Sequence, residues 1–202
     1  MSYSNFSLRE VKSKFGLLEE RKTLFQHVIG QKPSYWLKQT LKFNEDAALI
    51  SEKERSELLV SPILTELRQR NNKVFSVYSG ANLDADSEQG LNGECDFILT
   101  KDINTFDLNY PIIQVVEAKK NDMDIGIPQC AAQMLGAKIF NEKKGTPLPK
   151  IYGCVTTGND WIFMLLENDI IIVDNRIYYL TEIELILGAF QTIIDFYKKE
   201  IK

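Results

Sequence analysis

The sequence predicts an α/β sandwich on a mixed sheet, and three observations carry that expectation. Helix-like and strand-like segments follow in the order helix, three strands, helix, strands, helix, which is not the strict alternation of a doubly wound fold. The strand-like segments are short apolar runs bounded by turn residues, whereas the helix-like ones repeat their apolar residues on one side. At 202 residues, 44% of them hydrophobic, the chain is long enough to bury one substantial core.

Residues 1–50 read as a helical extension packed on that core, and residues 51–202 as the main domain. Ser7 can cap a helix over LREVKSKFGLLEE, and Pro33-Ser34 opens another over YWLKQTLKF, with Trp36, Leu37, Leu41 and Phe43 as its apolar stripe. Trp36, like Trp161, is expected in the core. Ser51 with Glu54 three residues on forms a capping-box pattern for a helix reaching about Gln69. Leu58, Leu59, Ile63, Leu64 and Leu67 fall on one side of it, and Pro62 predicts a kink.

Strands follow at KVFSVYSG (73–80), ECDFILT (94–100) and, after a loop containing Asn104 and Asn109, IIQVVEAK (112–119). NDMDIGI reads as a loop, and Pro128 suits the first position of a helix over QCAAQMLGAKIFNEK. Three more strands are expected at 150–158, 160–167 and 170–180, with Asn168-Asp169 turning between the last two. Helical periodicity closes the chain from Glu182 to about Lys199.

The net charge of −4 argues against a sequence-independent coat for nucleic acid, although a local basic groove is compatible with it. Cys95, Cys130 and Cys154 are odd in number and follow no zinc spacing, which fits free thiols in a reducing cytoplasm. The N-terminus lacks the basic start and apolar run of a secretory signal, and no stretch approaches a membrane span. The expectation is a cytoplasmic protein without a membrane partner.

Chemistry concentrates where two strands end in charge. Side chains alternate along a strand, so Glu117 and Lys119 share a face, roughly 6 to 7 Å apart at their α-carbons, with Ile113 and Val115 expected before them. Asp96 heads the preceding strand. If the two strands pair antiparallel, Asp96 and Glu117 meet, and two adjoining carboxylates repel unless a proton or a cation joins them. Magnesium, held by one or two carboxylates and water, suits such a pair. A neighbouring lysine can orient an attacking water or offset charge on a phosphate.

An acid on one strand followed by Glu117-Ala118-Lys119 closing the next, with a helix on each side, resembles the PD-(D/E)XK nuclease superfamily. Cys95 stands where that family's pattern has proline. The resemblance covers about residues 51–160 and implies a restriction-endonuclease-like three-layer sandwich. It further implies Mg²⁺-dependent hydrolysis of a nucleic-acid phosphodiester, with DNA the expected polymer and Mn²⁺ a substitute metal. Asp96, Glu117 and the carbonyl of Ala118 would hold the metal, and Lys119 would act on the water. Relatives often dimerise, so a homodimer is compatible with the resemblance.

The family often adds an acid on the first core helix. Glu57 is the expected one, and Glu66, nine residues on and roughly 13 to 14 Å further along the helix, is expected at the surface. Gln129 and Gln133, four apart on the following helix, are candidates to orient water or contact phosphate. SELLV around Glu57 is similar to the corresponding helix of Holliday-junction resolvases, and TTG with DWIF (156–163) to the strand pair in type I restriction motor subunits. Lys120, Asp122 and Asp124 are read as solvated, and His27 as outside the site. The alternative to a nuclease is a catalytically inactive module of the same fold that binds nucleic acid or protein.

Overall fold

A computed structural model describes residues 2–101 and 107–200; the loop position Asn104 lies outside them. Ser7 caps α1 (Leu8–Phe15) with a complete capping box to Glu10. The helix stops at Gly16, which adopts φ 67°, a left-handed conformation glycine takes without penalty. Leu18, Glu19 and Glu20 beyond it, expected to continue the helix, instead open strand β1 (Leu18–Lys22). Ser34 caps α2 (Tyr35–Phe43), and Ser51 caps α3 (Glu52–Arg55) through a second capping box with Glu54.

A π-helical turn, Ser56–Val60, joins α3 to α4 (Ser61–Arg70). Pro62 accounts for the disturbance. It has no N–H to offer the Leu58 carbonyl four residues back, and the side-chain amide of Asn44 donates to that oxygen at 2.8 Å. The expected break therefore falls one turn before the proline, and the residue after α2 is docked by it.

The remaining elements are β2 (Phe75–Asn82), β3 (Glu94–Lys101), β4 (Ile112–Ala118), α5 (Met123–Lys143), β5 (Lys150–Thr156), β6 (Asp160–Glu167), β7 (Ile170–Asp174), β8 (Tyr178–Tyr179) and α6 (Ile183–Glu200). Helix α5 begins five residues before Pro128, because the Asp122 side chain caps it at the Asp124 N–H and the proline is accommodated inside. The long strand expected over 170–180 divides into β7 and β8. Asn168 and Asp169 turn with φ of 50° and 60°, both positive as a tight hairpin requires.

The sheet order is β1-β7-β6-β5-β4-β3-β2, with β8 on β6. β1 pairs parallel with β7 and β4 parallel with β5, while the other pairs are antiparallel, so the sheet is mixed as expected. Helix α5 covers one face through Cys130, Met134 and Ala137 over Ile98, Val115 and Val155. Helices α4 and α6 cover the other, where Phe190 meets Phe163 edge to face at 5.0 Å. The result is an α/β sandwich. Among the described residues no helix is long and apolar enough to cross a membrane, and the three cysteines are buried free thiols.

The first 50 residues are tied in at several points. β1 adds a strand to the sheet. Glu66, expected at the surface, is 5% exposed, because its carboxylate accepts from the Ser34 N–H (3.0 Å), the Ser34 hydroxyl (2.7 Å) and Arg70 (3.1 Å). It thereby holds the residue that caps α2. Leu37 of α2 is fully buried in the second core. Gly188 of α6 allows the backbone of Ile29 to lie against the helix: a Cβ there would meet the Ile29 carbonyl oxygen, and Val28 at 2.7 Å. Backbone cannot swing aside as a long side chain can. Gly188→Ala is accordingly expected to lower unfolding free energy by about 1–3 kcal/mol, read as a shift in urea midpoint with an unchanged slope.

Candidate functional site: two strand-borne carboxylates and a lysine

β3 and β4 run antiparallel with Phe97 opposite Val116 and Ile98 opposite Val115, so the next step of the register sets Asp96 beside Glu117. The backbone N–H of Ala118 donates to Asp96 Oδ2 at 2.7 Å, which fixes the aspartate across the strand pair. The expected meeting of Asp96 and Glu117 is what the structure contains. One detail of the approach differs. Thr100 pairs with Ile112 but Leu99 with Gln114, so Ile113 is an extra, bulged residue. Ile113 therefore packs in the α4/α6 core, while Val115, two residues on, lies in the α5 core. The start of the strand is held by Asn141 of α5, whose amide accepts from the Ile112 N–H (2.7 Å) and donates to its carbonyl (2.8 Å).

Past the bulge, Glu117 faces α5. Its carboxylate is 1% exposed and held at both oxygens, by Lys119 Nζ on Oε1 at 2.6 Å and by Gln133 Nε2 on Oε2 at 2.7 Å. Gln133 is fully buried, and its Oε1 has no hydrogen-bond partner among the described residues. Gln129 lies one turn nearer the start of α5, half-buried and without a hydrogen bond to either carboxylate. Of the two glutamines that share a helical face, one reaches the site.

Glu57, the expected acid of the first helix, lies away from the two carboxylates. Glu57 is 62% exposed and approaches only Lys53, at 3.9 Å. Glu52, the first residue of α3, lies 3.8 Å from Lys119 Nζ and acts on Asp96 through its charge. Arg55 holds that end of the helix in place, its guanidinium donating to the Thr157 carbonyl at 3.0 Å beyond β5. The helix does run away from the strand ends as expected, but it approaches them five residues earlier. The capping box had marked Glu52 as the first helical residue, where an acid is unremarkable for reasons of the helix dipole alone, so the sequence carried no separate signal for it.

Lys119 is fixed by its own backbone, which donates to the Thr156 carbonyl at 2.7 Å. Behind it, the Thr156 and Thr157 hydroxyls order the turn into β6: Thr156 donates to the Asp160 carbonyl and accepts from the Gly158 N–H, each at 2.8 Å. The remaining acids stay apart. Asp122 caps α5, and Asp122, Asp124 and Lys120 are exposed, as is His27; Cys95 is a fully buried neighbour of Asp96. Trp161 is buried, but Trp36, expected in the core, is 48% exposed.

Charge and burial pull against one another here. Burial pushes the Glu117 carboxyl up, the adjoining Asp96 charge pushes it further, and Lys119 and Gln133 pull it back, leaving it at about 7. Asp96 is also raised, by burial first, with the Ala118 N–H and Lys119 opposing. Burial alone would lower Lys119, but Glu117, Glu52 and Asp96 outweigh it and hold the ammonium charged. Glu52, Asp96 and Glu117 against Lys119 make three potential negative charges and one positive.

A hard divalent cation takes oxygen ligands, and Asp96, Glu117 and the Ala118 carbonyl are of that kind. The donor set fits such an ion in two respects. The carboxylates compete for ionisation as adjoining acids do, and the unpartnered Gln133 Oε1 offers an acceptor for a water beside them. Among the described residues, however, no group of three or more His, Cys, Asp or Glu side chains is placed to hold a metal together. A cation would have only two side-chain carboxylates and would retain much of its water. Compared with protein-family models and with curated proteins, the chain matches none.

Glu117 gives a pH dependence with a definite sign. Its folded pKa lies above the ordinary value, so the folded state binds the extra proton in the window between them. Stability is full below about pH 4.5 as far as this group is concerned, and falls as pH rises toward and through about 7. In metal-free buffer the thermal midpoint is expected to decline over that interval, and Glu117→Gln, which keeps the amide-sized side chain without the charge, is expected to flatten the decline.

Proposed function

We propose that this chain is a divalent-metal-dependent nuclease of the PD-(D/E)XK type, hydrolysing phosphodiester bonds of nucleic acid, with DNA as the substrate and Mg²⁺ as the metal. The observation that carries the reading is the carboxylate of Glu117, buried between Lys119 and Gln133 and set beside Asp96. Acid pairs at a strand end with a lysine at 2.6 Å are costly to bury and add little to stability. A site of this kind is better explained by what it binds.

In this reading Asp96, Glu117 and the Ala118 carbonyl hold the ion, with Mn²⁺ able to substitute. Bound there, a divalent cation supplies a water of lowered pKa and draws charge from a phosphoryl oxygen. The residues of this chain do the rest. Lys119, kept protonated by the surrounding acids, offers its ammonium to the charge that builds on the phosphate. Gln133 fixes the Glu117 carboxylate and presents Oε1 to a water. Glu52, half exposed and 3.8 Å from Lys119, adds a second acid beside that ammonium. Burial of Glu117 excludes bulk solvent from one side of the centre.

A second reading, a module that keeps this fold and binds without hydrolysis, draws support from the small donor set of two carboxylates. Cleavage assays separate the two. With single-stranded and duplex DNA and RNA supplied with Mg²⁺ or Mn²⁺, wild type is expected to cut at least one form. Glu117→Ala and Lys119→Ala are each expected to lose on the order of 10²-fold or more, the scale of removing one preorganised charge partner. No metal-dependent cleavage of any form, or equal cleavage by the variants, would end the nuclease reading. The helix assignment has its own check: Glu52→Gln should slow cleavage, while Glu57→Gln, with its side chain in solvent, should leave the rate within twofold, as expected for a change about this small.

A further inference from the structure

Helix α2 turns aromatic side chains to solvent at both of its ends. Tyr35, Gln39 and Phe43 stand four residues apart along one row, and Trp36 flanks that row beside Tyr35. Tyr35 and Phe43 are each 78% exposed and Trp36 is 48% exposed, whereas Leu37 behind them is fully buried. Gln39, half-buried, puts an amide at the centre of the row. Aromatic side chains bury about 150–250 Å² each, so these three leave roughly 300–500 Å² of surface still to be covered. A patch of that size marks an interaction surface.

The charges around this face are nearly balanced. Lys32, Lys38 and Lys42 stand against Glu45, Asp46, Glu182 and Glu184. Lys38 lines a shallow groove with Glu182 and Glu184, and Glu45 lines another with Tyr179. A strongly charged partner of either sign finds no net field to meet here. The charges are sorted instead along the helix axis. Lys32 lies just before α2, and Glu45 and Asp46 lie just after it, all three exposed. Two such helices laid parallel would bring like ends together. Laid antiparallel, they bring Lys32 of each copy to Glu45 and Asp46 of the other.

The aromatic row has the same symmetry. With a twofold axis through Gln39, position 35 of one copy faces position 43 of the other. Tyr35 and Trp36 then meet Phe43 of the second copy, twice over, and Gln39 meets its own counterpart on the axis, where a primary amide can both donate and accept. A twofold contact demands such a patch, because one surface must complement itself. We propose that the exposed face of α2 is a homodimer interface, in which two copies of this chain pair their α2 helices antiparallel about Gln39. A standard interface takes about 800 Å² from each partner. The aromatic face supplies roughly half of that, with the charged rim and the half-exposed Tyr179 beside Glu45 as its border. An interface of this size suits reversible pairing. It stands independently of the nuclease reading, since Asp96, Glu117, Lys119 and Gln133 all lie off α2.

Sedimentation equilibrium over about 1–100 µM is expected to show a monomer–dimer equilibrium. Trp161 is fully buried, so a blue shift of tryptophan emission with concentration reports on Trp36. Phe43→Asp and Trp36→Ala are each expected to raise the dissociation constant about 30-fold or more, as removal of a central aromatic anchor does. Lys32→Glu and Asp46→Lys should each weaken pairing roughly 2- to 10-fold, and the double charge reversal should restore it, because the two positions meet across the axis. The three native cysteines are buried, so oxidation of Gln39→Cys is expected to link two copies, whereas Lys53→Cys, exposed on α3, should stay single. Thermal melts confirm that these surface variants fold. A monomer throughout the concentration range would overturn the interface and leave the face to a different partner. A dimer that survives Phe43→Asp, or that Gln39→Cys does not cross-link, uses another surface and overturns it equally. A double reversal that stays weak would sink the antiparallel register.

Discussion

The register between β3 and β4 is the constraint from which the site follows. Side chains alternate across a sheet, so a slip of one residue would send every one of them to the opposite face. Here Phe97 against Val116 sets Asp96 beside Glu117, and the Ala118 N–H locks the pair. The bulge at Ile113 matters as much, because it resets the phase of β4 halfway along. Without it, a strand start packed as Ile112 is would turn Glu117 away from Gln133 and toward the helices α4 and α6. Asn141 satisfies the backbone of Ile112 just before this irregularity, where the ladder is weakest.

That placement commits the protein to burying an acid. An ionised carboxylate moved from water to the interior loses several kcal/mol of hydration, which attraction to a partner repays only with good geometry. Lys119 and Gln133 supply that geometry at one carboxylate, but Asp96 and Glu52 divide the same lysine's charge. The cluster is therefore stable enough to persist and short of positive charge. In the proposed function this shortage is the driving force for metal capture, and it also explains why Lys119 remains an ammonium instead of serving as a base.

The elements that position the site were legible in the sequence because local signals agreed with the global pattern. Capping residues Ser7, Ser34 and Ser51, the apolar β3 and β4, and the Asn168-Asp169 turn all act where they were expected. The failures have specific causes. Glu19, Glu20, Arg21 and Lys22 form an edge strand whose charged sequence has no strand periodicity to detect, and only pairing with β7 makes it one. Glu66 looked like a surface acid because its partners, Ser34 and Arg70, are supplied by tertiary packing and a helical turn. Glu57 was preferred over Glu66 because the helix was expected to run away from the strand ends; it does so, but it meets them at Glu52, five residues before Glu57. Trp36 was assigned to the core with the stripe Trp36, Leu37, Leu41 and Phe43, but only Leu37 of these is fully buried, because apolar residues next to one another on a helix need not face the same way.

The N-terminal segment belongs to the same cooperative unit as the site, and Pro62 is the reason. A proline in mid-helix leaves one carbonyl unpaired, and a buried unpaired carbonyl is unfavourable by about 1–3 kcal/mol. The Leu58 carbonyl instead receives the Asn44 amide, so the defect in the site-bearing helix is corrected only when α2 is docked. Glu66, two turns further on, holds the opposite end of α2 through Ser34. The two anchors fix α2 along the helix that also carries Glu52 and Arg55. Any displacement of α2 would release the Leu58 carbonyl and loosen the π turn, and with it the end of α3 that Arg55 ties to the strand ends. The seat of α2 and the end of α3 beside Lys119 therefore depend on the same run of helix.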